Sequence, residues 1–243
     1  MHKEPDWDIS RRRLLLLFGA AGAGLLVHRS IGFSAQGKST PNNLPPCIVT
    51  PRQTEGPFFV DGRLNRSDIR GDPIDGSVTA GVPLTLSLRV SSVSRAGCAL
   101  MAGAVVDVWH CDAAGAYSDV NERAAPSAGK KFLRGYQITG ESGAVRFTTI
   151  YPGWYPGRAV HIHFKVRSDA GSARSREFTS QLYFDDALTD RVHARQPYAS
   201  RGQRALRNRH DGLFRNGGEL LMLNAIESGE GYTASFDIGL QMS

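Results

Sequence analysis

His161, Ile162 and His163 stand in a stretch, Ala159 to Val166, that alternates in the manner of a strand. With a side-chain period of two, both imidazoles project from one face, about 7 Å apart along the strand, while Ile162 points the other way. Two neutral imidazoles so placed can converge on one cation. Just upstream, Thr149 to Arg158 (TIYPGWYPGR) reads as a strand end followed by two Pro-Gly pairs, a loop that presents Tyr151, Trp154, Tyr155 and Arg158 beside the histidines. A second strand end, Val108-Trp109-His110, turns through Gly115 to Tyr117. A phenol ionises near pH 10, so only a strongly Lewis-acidic ion holds it as phenolate. Phenolate oxygens combined with imidazoles suit Fe(III) better than zinc. No carboxylate lies at ligand spacing beside His161 and His163, which argues against an Fe(II) site of two histidines and one acid. Arg158, three residues before His161, carries a guanidinium that can stabilise negative charge building on a bound group. The plainer alternatives are a packed aromatic at each strand edge and an arginine salt-bridged on its loop.

These residues need a scaffold of short strands and shaped turns, and the composition provides for one. The 243 residues include 27 Gly and 12 Pro, with 41% hydrophobic and 21% charged, a globular and turn-rich make-up. Apolar, alternating runs rich in Val, Ile, Thr and aromatics recur at Val82 to Val93, Ala104 to Trp109, Ala144 to Ile150, Ala159 to Val166, Phe178 to Phe184 and Tyr232 to Leu240. Their length and spacing predict one all-β domain over residues 47–243, an antiparallel sandwich or barrel with long loops. Residues 185–215 break the alternation and predict a short helical or irregular insertion.

The formal charge of +6 first suggests a nucleic-acid partner, but part of it sits in a leader. Ser10-Arg11-Arg12-Arg13 precedes an apolar run to Val27, too short to span a bilayer and shaped like an export signal. It resembles a twin-arginine signal, read by the export machinery as an address. The expectation is an export signal over 1–35, a polar, Pro-rich linker or arm over 36–46, and a periplasmic or secreted product; an uncut membrane anchor is the alternative. Without residues 1–35 the chain keeps 24 basic and 20 acidic residues, a charge of +4. The remaining cluster, Arg201 to Arg209, reads as a solvated face, and no nucleic-acid partner is expected. Cys47, Cys98 and Cys111 allow one disulfide and one leftover thiol in any of three pairings.

Several motifs occur together and in order: Thr54-Glu55-Gly56-Pro57-Phe58-Phe59, the WHCDAAGAYS stretch ending at Ser118, Arg134-Gly135-x-Gln137 followed by GAVRFTTIYPGWYPGR, and HIHF followed by Ser180-Gln181-Leu182-Tyr183-Phe184. The ordered set, spanning roughly Cys47 to Phe184, resembles the intradiol ring-cleavage dioxygenases, especially the protocatechuate-type catalytic subunit. That resemblance implies a β-sandwich holding non-haem Fe(III) through Tyr117, Tyr155, His161 and His163. It also implies a catechol-type substrate opened by O2 between its hydroxyl-bearing carbons to a muconate-type diacid. Tyr155 would be the axial ligand that leaves the iron and accepts a proton, with His163 opposite it; Tyr117 and His161 would be equatorial. Arg158 and Gln181 would act on the reacting oxygens, Gln181 by donating a hydrogen bond. Gly56, Pro57, Phe58 and Phe59 would form the mouth of the pocket, with Trp154 lining it. Tyr151 does not fall on the ligand register. Family members work as paired subunits or helix-linked dimers, and this chain shows no long N-terminal helical dimerisation region, so its oligomeric state stays open. The competing reading from another class is a non-catalytic β-sandwich that binds carbohydrate or a surface partner through exposed aromatics and basic residues.

Overall fold

A computed structural model of the protein describes residues 48–122, 125–168 and 176–241. The expected leader and arm, residues 1–46, lie outside the described residues. Among the described residues no helix is long and apolar enough to cross a membrane.

The first long strand shows how the sandwich arises. β1 (Pro83–Ser94) alternates, burying Leu84, Leu86, Leu88 and Val90 on one face. Its partners in the first sheet are β2 (Gly97–Leu100) and, further on, β7 (Ala144–Ile150) and β11 (Gly231–Gln241), and β10 (Asn224–Ser228) pairs with the far side of β11. The second sheet runs in the order β6 (Arg134–Ile138), β3 (Val105–Trp109), β8 (His161–Arg167), β9 (Glu177–Tyr183). A two-residue ladder joins β4 (Asn121–Glu122) to β5 (Ala125–Pro126). Between the sheets, the buried β1 residues meet Val106 and Val108 of β3 and Ile162, Phe164 and Val166 of β8 in one apolar core. The fold is therefore the expected all-β sandwich.

Two details differ from expectation. β11 runs parallel to β1, from Leu84↔Tyr232 to Val93↔Gln241, so the sandwich is not purely antiparallel. Alternation identifies a strand but not its direction, and a parallel neighbour needs a long crossover, which most of the domain supplies here. The second lies within residues 185–215, which form the expected insertion as α1 (Asp186–His193) and 3₁₀ turns at Tyr198–Arg201 and Asn208–His210. Asp185 caps the helix, its side chain accepting the Leu188 N–H at 2.8 Å. Within this insertion Arg204 is not on a solvated face. Its side chain is 4% exposed, bonded to Asp186 and Asp190 at 2.5 and 2.9 Å.

Candidate metal centre

Strand register assembles the centre. Trp109 pairs with Arg134 on one side and His163 on the other, and His163 pairs with Gln181, so four side chains form a row across the second sheet. His161 pairs with Tyr183 one step along. Because Ile162 and Phe164 face the core, this row occupies the opposite face. Loops bury that face. The stretch after Pro51 lies over it, with Phe59 edge-on to Trp109 at 4.9 Å, and the Arg134 guanidinium donates to the Phe58 carbonyl at 3.3 Å. The ring of Trp109 stacks on His163 at 4.9 Å.

The tyrosines arrive on two loops that interlock. Asp112 shapes the first, its Oδ1 accepting the N–H groups of Ala114 and Ala116 at 2.9 and 2.8 Å. Gly115 has φ +83°, and a Cβ there would stand 2.2 Å from the Trp154 carbonyl; a Cβ on Gly153 would stand 2.4 Å from the Asp112 carbonyl. Glycine at both contacts lets the loops close, and the Gly153 N–H donates to the Asp112 carbonyl at 3.1 Å. Cys111 is a free thiol buried in the same junction, whereas Cys98 is disulfide-bonded, so Cys111 is the thiol left over. Tyr117 is 2% exposed and Tyr155 only partly buried. Phe58 stacks on Tyr117 at 4.3 Å and meets Tyr155 edge-on at 5.9 Å. Arg134 secures the first loop from below, its Nε donating to Ser118 Oγ at 2.7 Å.

Four donor atoms converge. His161 Nε2 lies 3.0 Å from His163 Nε2, 3.4 Å from the Tyr117 hydroxyl and 3.3 Å from the Tyr155 hydroxyl. Bonds of about 2.0–2.1 Å to one cation, splayed by 90–110°, would separate neighbouring donors by about 2.8–3.4 Å, so the four fit a shared ion. His161 Nδ1 sits 2.6 Å from the Ala159 carbonyl, which fixes Nδ1–H and turns the Nε2 lone pair to the cluster. His163 Nδ1 is buried and has no partner among the described residues. Burial lowers the His161 pKa to about 3 and that of His163 well below its usual value, keeping both imidazoles neutral, as ligands must be. Burial also pushes Tyr155 up to about 12 and Tyr117 well above the usual range. Phenolates at this depth therefore require a strong positive charge beside them. Among the described residues no group of three or more His, Cys, Asp or Glu could hold a metal, so the phenols are needed to complete a ligand set.

The other expected residues sit close by. Arg158 donates from Nε to Asp211 at 2.9 Å and from Nη2 to Gln181 Oε1 at 2.6 Å, and its charge draws the Tyr155 pKa down against burial. Gln181 differs from expectation in its donor. Its Nε2 goes to the Thr54 carbonyl at 2.9 Å, while its Oε1 receives Arg158 and lies 3.2 Å from the Tyr183 hydroxyl. Tyr151 lies in the apolar core, its hydroxyl 2.7 Å from Thr189 Oγ1 and its ring 4.3 Å from Phe184. Trp154 packs its ring under the Arg201 guanidinium at 4.8 Å. Sequence reading missed Asp211, Tyr183, Gln53 and the bracing role of Arg134. For Tyr183 the alternating strand carried a signal, since it shares the face of Gln181, but Asp211 lies in an aperiodic stretch that carries none.

A β-sandwich with two phenols and two imidazoles converging on one point has a counterpart among known proteins. The family model described as dioxygenase matches residues 54–206, and the chain belongs to that family, the intradiol ring-cleavage dioxygenases, which are oxidoreductases. Among curated relatives, catechol 1,2-dioxygenase 1 of Acinetobacter lwoffii is 29% identical, covering 69% of this chain and 57% of its own. The protocatechuate 3,4-dioxygenase beta chain of Burkholderia cepacia is 31% identical, covering 56% of each. The chain thus spans about half the length of the curated relatives it matches. Two solved structures match nearly end to end. An intradiol ring-cleavage dioxygenase from Tetranychus urticae is 28% identical with a TM-score of 0.68, covering 80% of this chain and 95% of that one. The dioxygenase domain of a dioxygenase and carbohydrate-binding protein fusion from Streptomyces sp. SirexAA-E is 33% identical with a TM-score of 0.57, covering 81% and 100%.

Proposed function

We propose that the protein is a ferric intradiol dioxygenase that opens a catechol-type ring between its hydroxyl-bearing carbons to a muconate-type diacid. The observation that carries this reading is the convergence of Tyr117, Tyr155 and His163 within 3.4 Å of His161 Nε2. A non-haem Fe(III) held by these four residues supplies the Lewis acidity that keeps the phenols ionised and the electronic route by which catecholate meets O2. The two tyrosines differ in freedom. Tyr117 is buried, with Ser127 Oγ bonded to its carbonyl and Phe58 stacked on its ring, which suits a permanent ligand. Tyr155 is partly exposed on the Pro-Gly loop, where its phenolate oxygen, if ionised beside the iron these residues would hold, could take a proton from an incoming catechol. Arg158 lies beside Tyr155, where its positive charge would stabilise negative charge on the phenol and on a bound catechol.

The test is oxygen uptake by the purified, iron-loaded protein against a panel of catechol, protocatechuate, hydroxyquinol and plant-derived catechols. At least one should be consumed, and the protein should be wine-red from tyrosinate-to-iron charge transfer. A colourless preparation that takes up no iron would overturn the assignment and favour the non-catalytic binding module. Within the site, Tyr155→Phe should weaken iron binding and bleach the colour. Tyr151→Phe, which loses only the bond to Thr189, should keep the iron and cost about 1 kcal/mol of stability.

Export is part of the same proposal. It is supported by the Arg-Arg leader and by the disulfide at Cys98, a bond that persists in oxidising compartments. Fractionation of cells making the full chain checks it, since cytoplasmic retention would count against it.

A further inference from the structure

We propose that Asp211 is the positioning residue that aims the Arg158 guanidinium at the tyrosine–histidine cluster; this rests on the functional reading above. Asp211 lies beyond the stretch matched by the family model, which ends at residue 206, inside the irregular part of the chain. It is 1% exposed, and both carboxylate oxygens are fully used. Oδ2 accepts Arg158 Nε at 2.9 Å and the Ala159 N–H at 2.8 Å. Oδ1 accepts the N–H groups of Leu213 and Phe214 at 2.7 and 3.3 Å. One side chain therefore ties the turn at 211–214 to the two residues that lead into the strand of His161 and His163.

A second arm meets the guanidinium from the other side and returns to the same turn. Arg158 Nη2 donates to Gln181 Oε1 at 2.6 Å and to the Tyr183 hydroxyl at 3.4 Å. The Tyr183 hydroxyl donates to Gln53 Oε1 at 2.8 Å, and Gln53 Nε2 donates to the Leu213 carbonyl at 2.8 Å. The guanidinium plane is thus set by acceptors on two of its nitrogens, within a closed ring of hydrogen bonds. A planar fork is fixed by two such contacts, whereas an ammonium on a flexible stem is not. Arg158 delivers directed charge only while this ring holds, and Asp211 is the carboxylate that faces the guanidinium within it.

The experiment compares Asp211→Asn, Arg158→Lys and the double variant with wild type on whichever catechol wild type opens. Asp211→Asn should lower kcat per bound iron about 10–100-fold, the usual effect of removing a residue that orients a metal site. Iron content and the anaerobic dissociation constant for the catechol should stay within about threefold of wild type, because orientation acts on the developing charge rather than on chelation. Arg158→Lys should lose a similar factor although the positive charge remains, and the double variant should be no worse than the poorer single, since the two residues act as a unit. In the metal-free protein, amide exchange at Ala159 should speed up at least about tenfold in Asp211→Asn as its acceptor is lost. A kcat per iron within threefold of wild type in Asp211→Asn, or losses that multiply in the double variant, would overturn the proposal. Should Asp211→Asn not fold, Arg158→Lys decides, because activity within threefold of wild type means charge alone suffices. If wild type opens no catechol, the functional reading fails, and the Ala159 exchange rates still decide whether Asp211 holds this corner.

Discussion

The two faces of β8 are buried to the same depth and do opposite things. Ile162, Phe164 and Val166 are fully buried against the other sheet, while His161, His163 and Lys165 are 2%, 1% and 6% exposed beneath loops. Depth alone does not tell core from site here. On the inner face each methylene removed from water adds about 0.8 kcal/mol. On the outer face burial costs free energy unless each polar group finds a partner. His161 has the Ala159 carbonyl, and Lys165 has Glu55, Glu177 at 3.5 Å and the Phe59 ring at 3.8 Å. His163 has the stacked Trp109 on its flank and His161 Nε2 at 3.0 Å, while its Nδ1 has no partner among the described residues. The inner face stabilises the sandwich, and under the proposed function the outer face holds polar groups in reserve for an ion and a substrate.

Substitutions on adjacent residues should separate these roles. His163→Ala should reduce ring-opening by more than about 10³-fold, equivalent to about 4 kcal/mol of transition-state stabilisation, through loss of a ligand. Its metal-free form should lose less stability than Phe164→Ala, since the removed imidazole is smaller than a phenyl ring and its Nδ1 has no partner among the described residues. Phe164→Ala should do the reverse, costing about 3–5 kcal/mol in denaturant unfolding through lost burial and a cavity. Its kcat per iron should stay close to wild type wherever it remains folded. A His163→Ala protein less stable than Phe164→Ala would mean that the outer face carries the fold as well.

How much of this was legible in the sequence follows from the same contrast. Alternation at Val82 to Val93 and Ala159 to Val166 is enforced by a buried face, so β1 and β8 could be read off, and with them the shared direction of His161 and His163. β10 (NAIES) is almost wholly exposed, and β2 lies at a sheet edge, so burial imposed no pattern on either. The shared direction of the two imidazoles came from alternation, whereas Tyr117 and Tyr155 were picked out as candidate ligands only by the resemblance of the ordered motifs, since a tyrosine in a loop carries no periodic signal of its own. Asp211 was not legible, because its partners Arg158 and Ala159 lie some fifty residues away and no periodicity links them. The parallel course of β11 was hidden for a related reason, since direction depends on the route of the whole chain between the two strands.

The smallest expected effect probes how the outer face tolerates charge away from the ion. Asp107, on β3, points to the same face, pairs in register with Lys165, and bonds Arg167 at 2.7 Å. Burial raises its pKa to about 6 despite the opposing pull of Arg167. A carboxyl whose folded pKa exceeds its unfolded value of about 3.9 binds more protons folded than unfolded between those two pH values. Stability contributed by the protonated form is then present at low pH and lost as pH rises through about 6, the reverse of an ordinary ion-paired carboxylate. Between pH 4 and 7 wild type should lose about 2 kcal/mol relative to Asp107→Asn, whose amide does not ionise. Urea unfolding of both proteins across that range measures the difference directly. A constant gap would mean that Arg167 fully compensates the buried charge, and that the outer face accepts a carboxylate as readily as the surface does.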